Sequence, residues 1–124
     1  MSRQRAQALV EFGLISFVLF LMFFVIIDGA RAVYSWQTVS EAAREGAHTA
    51  ELTDSTDTQI RTAINSHTGL LGNLGGGATI TPAVTRTALQ TVTISVSYTY
   101  QFVTPFLKGF GPITFTSQTV VIAE

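Results

Sequence analysis

The sequence predicts an α+β protein in which a long N-terminal α-helix carries a small globular C-terminal part. Residues 7–50 contain no proline, and this run is apolar on every side in its first half and amphipathic in its second half. Residues 91–102 alternate between polar and apolar side chains, which is typical of a β-strand with one buried face. We therefore expect residues 51–124 to form a head with one short helix and about three antiparallel strands, packed on the helix.

The composition is that of one small domain suited to contact with lipid or with other protein. The chain has 124 residues, a net charge of −1, 47% hydrophobic residues and 12% charged residues, and this charged share is about half the usual one. The absence of cysteine excludes disulfides, thiol chemistry and Cys-ligated metals, and seven basic residues give no footprint for nucleic acid. His48 and His67 are nineteen residues apart, which is a poor spacing for a metal site, and the sequence shows no Ser/His/Asp catalytic pattern. We expect no catalytic residues, no metal, no cofactor and no small-molecule substrate.

The first half of the predicted helix is long enough to cross a bilayer. Phe12–Ile27 is sixteen residues without a charge, and the twenty-two residues from Ala6 to Ile27 contain Glu11 as their only charge. A membrane span needs roughly 20 residues. Arg3 and Arg5 precede this segment, and positive flanks stay in the cytoplasm. We expect residues 7–28 to span a membrane or form a filament core, with the N-terminus inside and the head outside.

A cleaved secretory signal is the alternative interpretation. Ala30-Arg31-Ala32 has the small-x-small form of a signal cleavage site, which would give a mature chain starting at Val33. Against it, the apolar core is long for a signal, Asp28 and Arg31 crowd the site, and the helical pattern continues through the proposed cut.

The second half of the helix has one apolar stripe. Asp28 and Arg31 begin it as a pair of opposite charges at i,i+3 spacing. Small or apolar residues then recur at intervals of three and four, which places them on one helix face. These residues are Ala32, Trp36, Val39, Ala43, Gly46, Ala47 and Ala50. A single helix over residues 7–50 would be about 65 Å long.

The head is predicted from capping, periodicity and turn signals. Thr56 and Gln59 have the spacing of a capping box, and the apolar pattern predicts a helix over residues 57–71. The glycine-rich segment 72–77 is interpreted as a linker. Strands are predicted over residues 78–84, 91–102 and 113–122, and the apolar parity of the last one slips after Phe115, which indicates a bulge near Ser117–Thr119.

The connection between the last two strands contains apolar side chains among turn residues. Residues 103–112 read VTPFLKGFGP. Phe106, Leu107 and Phe110 either fold under the edge of the sheet or form a subunit contact that a single chain leaves exposed.

Three segments of the long helix carry a family resemblance. They are Arg5-Ala6-Gln7-Ala8-Leu9-Val10-Glu11-Phe12, Asp28-Gly29-Ala30-Arg31 and Ala42-Ala43-Arg44-Glu45-Gly46-Ala47. Together, and at these spacings, they resemble the TadE-like pilins and pseudopilins, which belong to the Tad branch of the type IV pilus superfamily. The resemblance extends over about residues 3–50, and the head matches only in general layout.

The resemblance implies a structural subunit of an extracellular Tad pilus. Such a subunit enters the bacterial inner membrane with its N-terminus in the cytoplasm. A prepilin peptidase removes the leader, and an assembly platform with its ATPase lifts the subunit into a helical homopolymer on the cell surface. Here the cut would fall between Ala6 and Gln7, leaving residues 1–6 as a basic leader, whereas the family usually has glycine before the cut. The implied partners are further copies of the chain, the peptidase, the platform and, before assembly, the membrane.

The resemblance also gives Glu11 a role, as the fifth residue of the mature chain that neutralises the amino terminus of a neighbouring subunit. A carboxylate at the edge of an apolar helix costs roughly a few kcal/mol, so a partner is expected on physical grounds too. In a chain that keeps its leader, Arg3 or Arg5 would replace the amine. Alternatively, Glu11 lies in the headgroup layer near Arg3 or Arg5.

The apolar helix is predicted to be the surface through which subunits pack. Association in lipid depends on close packing, and the small residues Gly13 and Ser16 let helices approach one another. The predicted packing residues are Phe12, Gly13, Ser16, Phe17, Phe20, Phe24 and Ile27. Two alternatives to a major pilus subunit remain: a minor TadE-like pseudopilin of a Tad apparatus, and a membrane-anchored or secreted binding module that forms no filament.

Overall fold

One helix of 50 residues, α1 (Ser2–Glu51), forms the spine of the protein. The computed structural model describes residues 2–52, 55–81 and 89–123. It adds the helix α2 (Asp57–Ser66) and the strands β1 (Thr79–Thr81), β2 (Thr91–Tyr100) and β3 (Ile113–Ile122). The predicted α+β architecture is confirmed, and α1 is about 75 Å long at 1.5 Å per residue. Residues 2–6 of the predicted leader are therefore part of this helix.

The three strands form one antiparallel sheet with β2 in the centre, in the order β1-β2-β3. The β2–β3 ladder is continuous from Thr91 opposite Ile122 to Tyr100 opposite Ile113. The predicted bulge near Ser117–Thr119 is therefore wrong. The parity slip is real, but the strand accommodates it by leaving Val120 and Ile122 exposed on the outer face. An inserted residue would instead have disrupted the ladder of backbone hydrogen bonds. Of the predicted strand 78–84, residues 79–81 are a strand, and residues 82–84 lie outside the described part.

Small side chains let the sheet and α2 approach the second half of α1, which we call the stem (residues 29–51). Glu45 is half-buried and Arg44 is exposed, whereas the small residues around them are buried. The predicted stripe is wrong at Trp36, which is 55% exposed, because the buried face runs through Ser35 and Thr38 instead. The buried apolar cluster consists of Val39, Ala42, Ala43, Ala47, Ala50, Ile60, Ile64, Leu74, Ala78, Ile80, Val92, Ile94, Val96 and Ala123.

The short helix begins as predicted and ends earlier. The capping box is present: the Gln59 main-chain N–H donates to Thr56 Oγ1, and the Thr56 main-chain N–H donates to Gln59 Oε1 at 2.8 Å. The helix stops at Ser66 rather than at residue 71, and a 3₁₀ turn over Gly69–Leu71 follows. Gly69 has φ +54°, a conformation that favours glycine and that an α-helix continuing to residue 71 could not contain. His67, which follows the last residue of the helix, is exposed.

Candidate functional site

Asp28 marks the point where the apolar half of α1 (residues 7–28) meets the stem. Its side chain is only 1% exposed, although it follows sixteen residues without a charge. A buried carboxylate is costly unless hydrogen-bond donors surround it. The donors here come from a part of the chain more than 70 residues further on.

Three groups of the head donate hydrogen bonds to Asp28. The Thr104 main-chain N–H donates to Oδ2 at 2.8 Å, and the Val103 main-chain N–H donates to Oδ1 at 3.1 Å. The Tyr100 hydroxyl lies 3.0 Å from the Asp28 main-chain oxygen and 3.2 Å from Oδ1. Hydrogen bonds to a charged acceptor are the stronger kind, so this junction attaches the end of β2 firmly to α1.

The same contacts explain why β2 is shorter than predicted. The strand ends at Tyr100, whereas the alternating pattern extends to Phe102. Beyond Tyr100, the N–H groups of Val103 and Thr104 donate to Asp28. The predicted last two residues of the strand are therefore wrong, because the chain turns toward the helix at this point.

Arg31 completes the junction from one turn further along the helix. Its Nη1 lies 3.5 Å from Asp28 Oδ1, and its guanidinium carbon lies 5.7 Å from the centre of the Tyr100 ring. The Arg31 side chain is half exposed, so this ion pair contributes little compared with the buried hydrogen bonds. Burial, the hydrogen bond to Asp28 and the negative charge of Asp28 together raise the pKa of the Tyr100 hydroxyl.

The hydrogen bonds of Asp28 were not predicted from the sequence. One feature of the sequence does point to them: an ionisable residue at the edge of an apolar helix needs a partner, and this holds for Asp28 as it does for Glu11. Two of the three donors have no local signature, because they are main-chain N–H groups of a turn and these are the same in any sequence.

The apolar half of α1 is a second candidate site, because its apolar side chains are exposed. Fourteen large apolar side chains between Phe12 and Ile27 are each 36–70% exposed. The predicted packing residues are all exposed except Ser16, which is intermediate. At 100° per residue they centre on one side of the helix, which we call the packing stripe. The stripe consists of Phe12, Gly13, Ser16, Phe17, Phe20, Phe24 and Ile27.

Glu11 and the predicted cleavage site lie on exposed helix at the far end from the head. Ala6, Gln7 and Glu11 are all exposed, as are Arg3 and Arg5. By helical rise, Arg5 is about 9 Å and Arg3 about 12 Å from Glu11 along the axis. These spacings, six and eight residues, are not the i,i+3 or i,i+4 spacings at which helical side chains pair. The helix therefore does not offer Glu11 an internal basic partner at pairing distance.

The segment that begins with the last of these donors, Thr104, does not fold under the sheet, and we call it the aromatic turn (residues 104–110). Phe106 and Phe110 are 72% and 75% exposed, and their ring centres lie 6.4 Å apart in an edge-to-face arrangement. Leu107 is half-buried and begins a 3₁₀ turn, Leu107–Phe110. Phe106 also lines an apolar groove of about 320 Å³ on the helix, together with Val18, Leu21, Met22, Val25, Ile26 and Thr104.

A match to a known protein family lies within α1. No curated protein and no solved structure matches the chain significantly. A family model described as TadE-like protein matches residues 6–48. The match includes Glu11, Asp28 and the small residues of the stem, and it indicates a protein related to the Tad pilus. The resemblance is thus confirmed on the residues that carried it: over residues 6–48, about a third of the chain, this protein matches the TadE-like family.

Proposed function

We propose that this protein is a structural subunit of an extracellular Tad-type pilus. The subunit is held in the bacterial inner membrane by residues 7–28, with its N-terminus in the cytoplasm and its head outside. It then assembles into a helical filament through the packing of its apolar helices. The family match over residues 6–48 supports a role connected with a pilus, in a family that is structural rather than enzymatic.

The observation that carries the proposal is the exposure of the apolar half of α1. Fourteen large apolar side chains are exposed on a helix whose stem buries only one face against its own head. Complete burial of one such side chain is worth about 1.5–3 kcal/mol relative to water. An isolated subunit in water is therefore strongly disfavoured, whereas lipid or neighbouring helices both provide cover. A subunit extracted from lipid is committed to the filament.

Glu11 is proposed to direct assembly by charge pairing. Because Arg3 and Arg5 are not at pairing distance along the helix, the natural partner of Glu11 lies on another subunit. After cleavage between Ala6 and Gln7 that partner is a free amino terminus. In a chain that keeps residues 1–6, the partner is Arg3 or Arg5 of the neighbour. The headgroup-layer alternative gives Glu11 no role in assembly.

The hydrogen bonds of Asp28 weigh against a secreted module that starts at Val33. Cleavage before Val33 would remove Asp28 and Arg31 from the protein. The N–H groups of Val103 and Thr104 and the hydroxyl of Tyr100 would then lose their acceptor. Buried donors without an acceptor cost about 1–3 kcal/mol each, which is a large penalty for a head of this size.

The intact mass of the protein in material sheared from cells tests the proposal. A dominant species starting at Gln7 is expected for a processed filament subunit. A dominant species starting at Met1 would also support a filament subunit, with the charge pairing moved to Arg3 and Arg5. A species starting at Val33 in the culture medium would contradict the proposal. Absence from the sheared fraction, with the protein found only in membranes, would favour the minor pseudopilin instead.

A further inference from the structure

The start of the aromatic turn lies beside the apolar half of α1, where Thr104 and Phe106 line a groove with helix residues 18–26. We propose that this turn inserts into the lipid leaflet on the head's side of the membrane, with Phe106 and Phe110 among the acyl chains and Lys108 at the lipid phosphates. The inference rests on the proposed membrane-anchored stage of the subunit. It adds a second point of contact with lipid, supplied by the head.

The depth of the turn is fixed by Asp28. Thr104 is held there by its hydrogen bond to Oδ2 at 2.8 Å, and the chain continues to Phe106, which lines a groove with helix residues 18–26. By helical rise, these residues lie about 3–15 Å from Asp28 toward the N-terminus. The distance from Glu11 to Asp28 is about 26 Å along the axis, close to the roughly 30 Å of a hydrocarbon core. The groove therefore lies within the half of the core nearest the head.

The side chains of the turn have the chemistry of a lipid-contacting segment. Phe106 and Phe110 are both more than 70% exposed, and the groove beside Phe106 is lined by apolar helix residues. Lys108 lies between the two rings in sequence and is exposed. A lysine reaches from an apolar level to the headgroups with its alkyl stem, and its ammonium is attracted to lipid phosphate. One cation flanked by two exposed aromatic rings suits a membrane interface better than bulk water.

The position of the turn around the helix leaves the packing stripe free. At 100° per residue, the five helix residues that line the groove centre on a direction roughly opposite the centre of the packing stripe. A subunit can therefore insert its aromatic turn into lipid and still present the stripe to other helices. Lipid is accordingly the occupant that the surroundings of the turn favour, because Phe106 lies beside residues 18–26 of the apolar half of α1.

Tryptophan fluorescence in vesicles tests this insertion with the full chain. The only native tryptophan, Trp36, lies in the stem about 12 Å beyond Asp28, outside the hydrocarbon core. In a Trp36→Phe background, Phe110→Trp reports on the turn and Phe20→Trp reports on the helix. Each protein is reconstituted at about one copy per vesicle into phosphatidylcholine and phosphatidylglycerol that carry bromine on the acyl chains. Phe106→Trp is a second reporter in case Phe110→Trp alters the fold.

The expected result is strong quenching of Phe110→Trp and Phe20→Trp, with little quenching of native Trp36. Lys108→Glu, added to the Phe110→Trp reporter, is expected to weaken the quenching of the turn and to leave that of Phe20→Trp unchanged. Quenching of Phe20→Trp without quenching at positions 106 and 110 would overturn the inference and leave the membrane-anchored stage intact. If the brominated acyl chains did not quench Phe20→Trp, the membrane-anchored helix of the proposed function would be contradicted instead. A turn reporter that is unquenched at one copy per vesicle, and is shielded from water only at many copies, would identify a second copy of the chain as the partner of the turn and would also overturn the inference.

Discussion

A Cβ atom added to Gly46 would lie 2.6 Å from Cγ1 of Ile64 and 2.9 Å from its Cδ1. The two residues belong to α1 and α2, and both are buried. The absence of a side chain at Gly46 therefore lets α1 and α2 pack closely. This gives a physical reason for the glycine in the Ala42–Ala47 motif.

Gly46→Ala is expected to destabilise the head by about 1–3 kcal/mol, the usual cost of overpacking a filled core. The effect opposes helix propensity, which favours alanine over glycine by about 1 kcal/mol. Gly29→Ala is the matched control, because a Cβ at Gly29 meets nothing within 4 Å. Chemical denaturation of both variants in detergent, followed by near-UV circular dichroism, checks this. Equal stability of the two variants would contradict the packing argument.

Asp28→Ala is expected to release the aromatic turn and to destabilise the head by about 2–4 kcal/mol. Each donor left without an acceptor costs about 1–3 kcal/mol, and water reaches part of the gap. Hydrogen exchange measured by mass spectrometry should show a larger increase over the wild-type rate in a peptide over residues 101–110 than in one over residues 113–122. Glu41→Ala, an exposed carboxylate on the same helix, should leave both peptides unchanged. Wild-type exchange over residues 101–110 in Asp28→Ala would show that the junction does not hold the turn.

Tyr100→Phe is expected to change how stability depends on alkaline pH. Because burial and Asp28 raise the pKa of Tyr100 above 10.0, the folded state holds the phenolic proton more tightly than the unfolded chain does. This contribution is fully present below pH 10 and is lost as the pH rises through the folded-state value. The free energy of unfolding should therefore fall with rising pH in that range, and Tyr100→Phe should remove part of that slope. Tyr98→Phe keeps Tyr100 and should keep the slope. An unchanged slope in Tyr100→Phe would assign it to other groups.

Glu11→Gln is expected to reduce the filament in the sheared fraction strongly while leaving the protein in the membrane. The change removes the charge but keeps the size of the side chain, so helix packing is preserved. Glu41→Gln, on the exposed side of the stem, should assemble normally. Immunoblots of sheared and membrane fractions separate these outcomes. Normal filaments with Glu11→Gln would support the headgroup-layer position instead. In a chain that keeps its leader, Arg3→Gln combined with Arg5→Gln should reproduce the loss.

The fold was predictable where a pattern is local. The continuous helix, the capping box at Thr56 and the strand that begins at Thr91 all follow from spacing and alternation within a few turns of chain. The register of the stem was less predictable. Ser35 and Trp36 are adjacent in sequence. A helical wheel does not show which of the two faces the sheet until the surface that packs against the helix is known.

The junction at Asp28 could not be predicted for a different reason. Its donors lie 72–76 residues away, and two of them are main-chain N–H groups that no side-chain pattern marks. The bulge was wrong because a parity slip has two solutions, an inserted residue or exposed apolar side chains at Val120 and Ile122. The uninterrupted ladder of ten residue pairs between β2 and β3 shows that this chain exposes the apolar side chains instead of inserting a residue. Only the pairing partner shows which solution the chain takes.

The contact between α1 and the head has a mechanical consequence. Helix residues buried against the head extend from Asp28 to Ala50, about 33 Å along the axis. A pull along the helix therefore loads the hydrogen bonds at Asp28 and the packing around Gly46 at the same time, in shear. A head attached at one end would instead detach by peeling, one contact after another. In the proposed filament, tension along α1 would therefore load both attachments of the head together rather than one after the other.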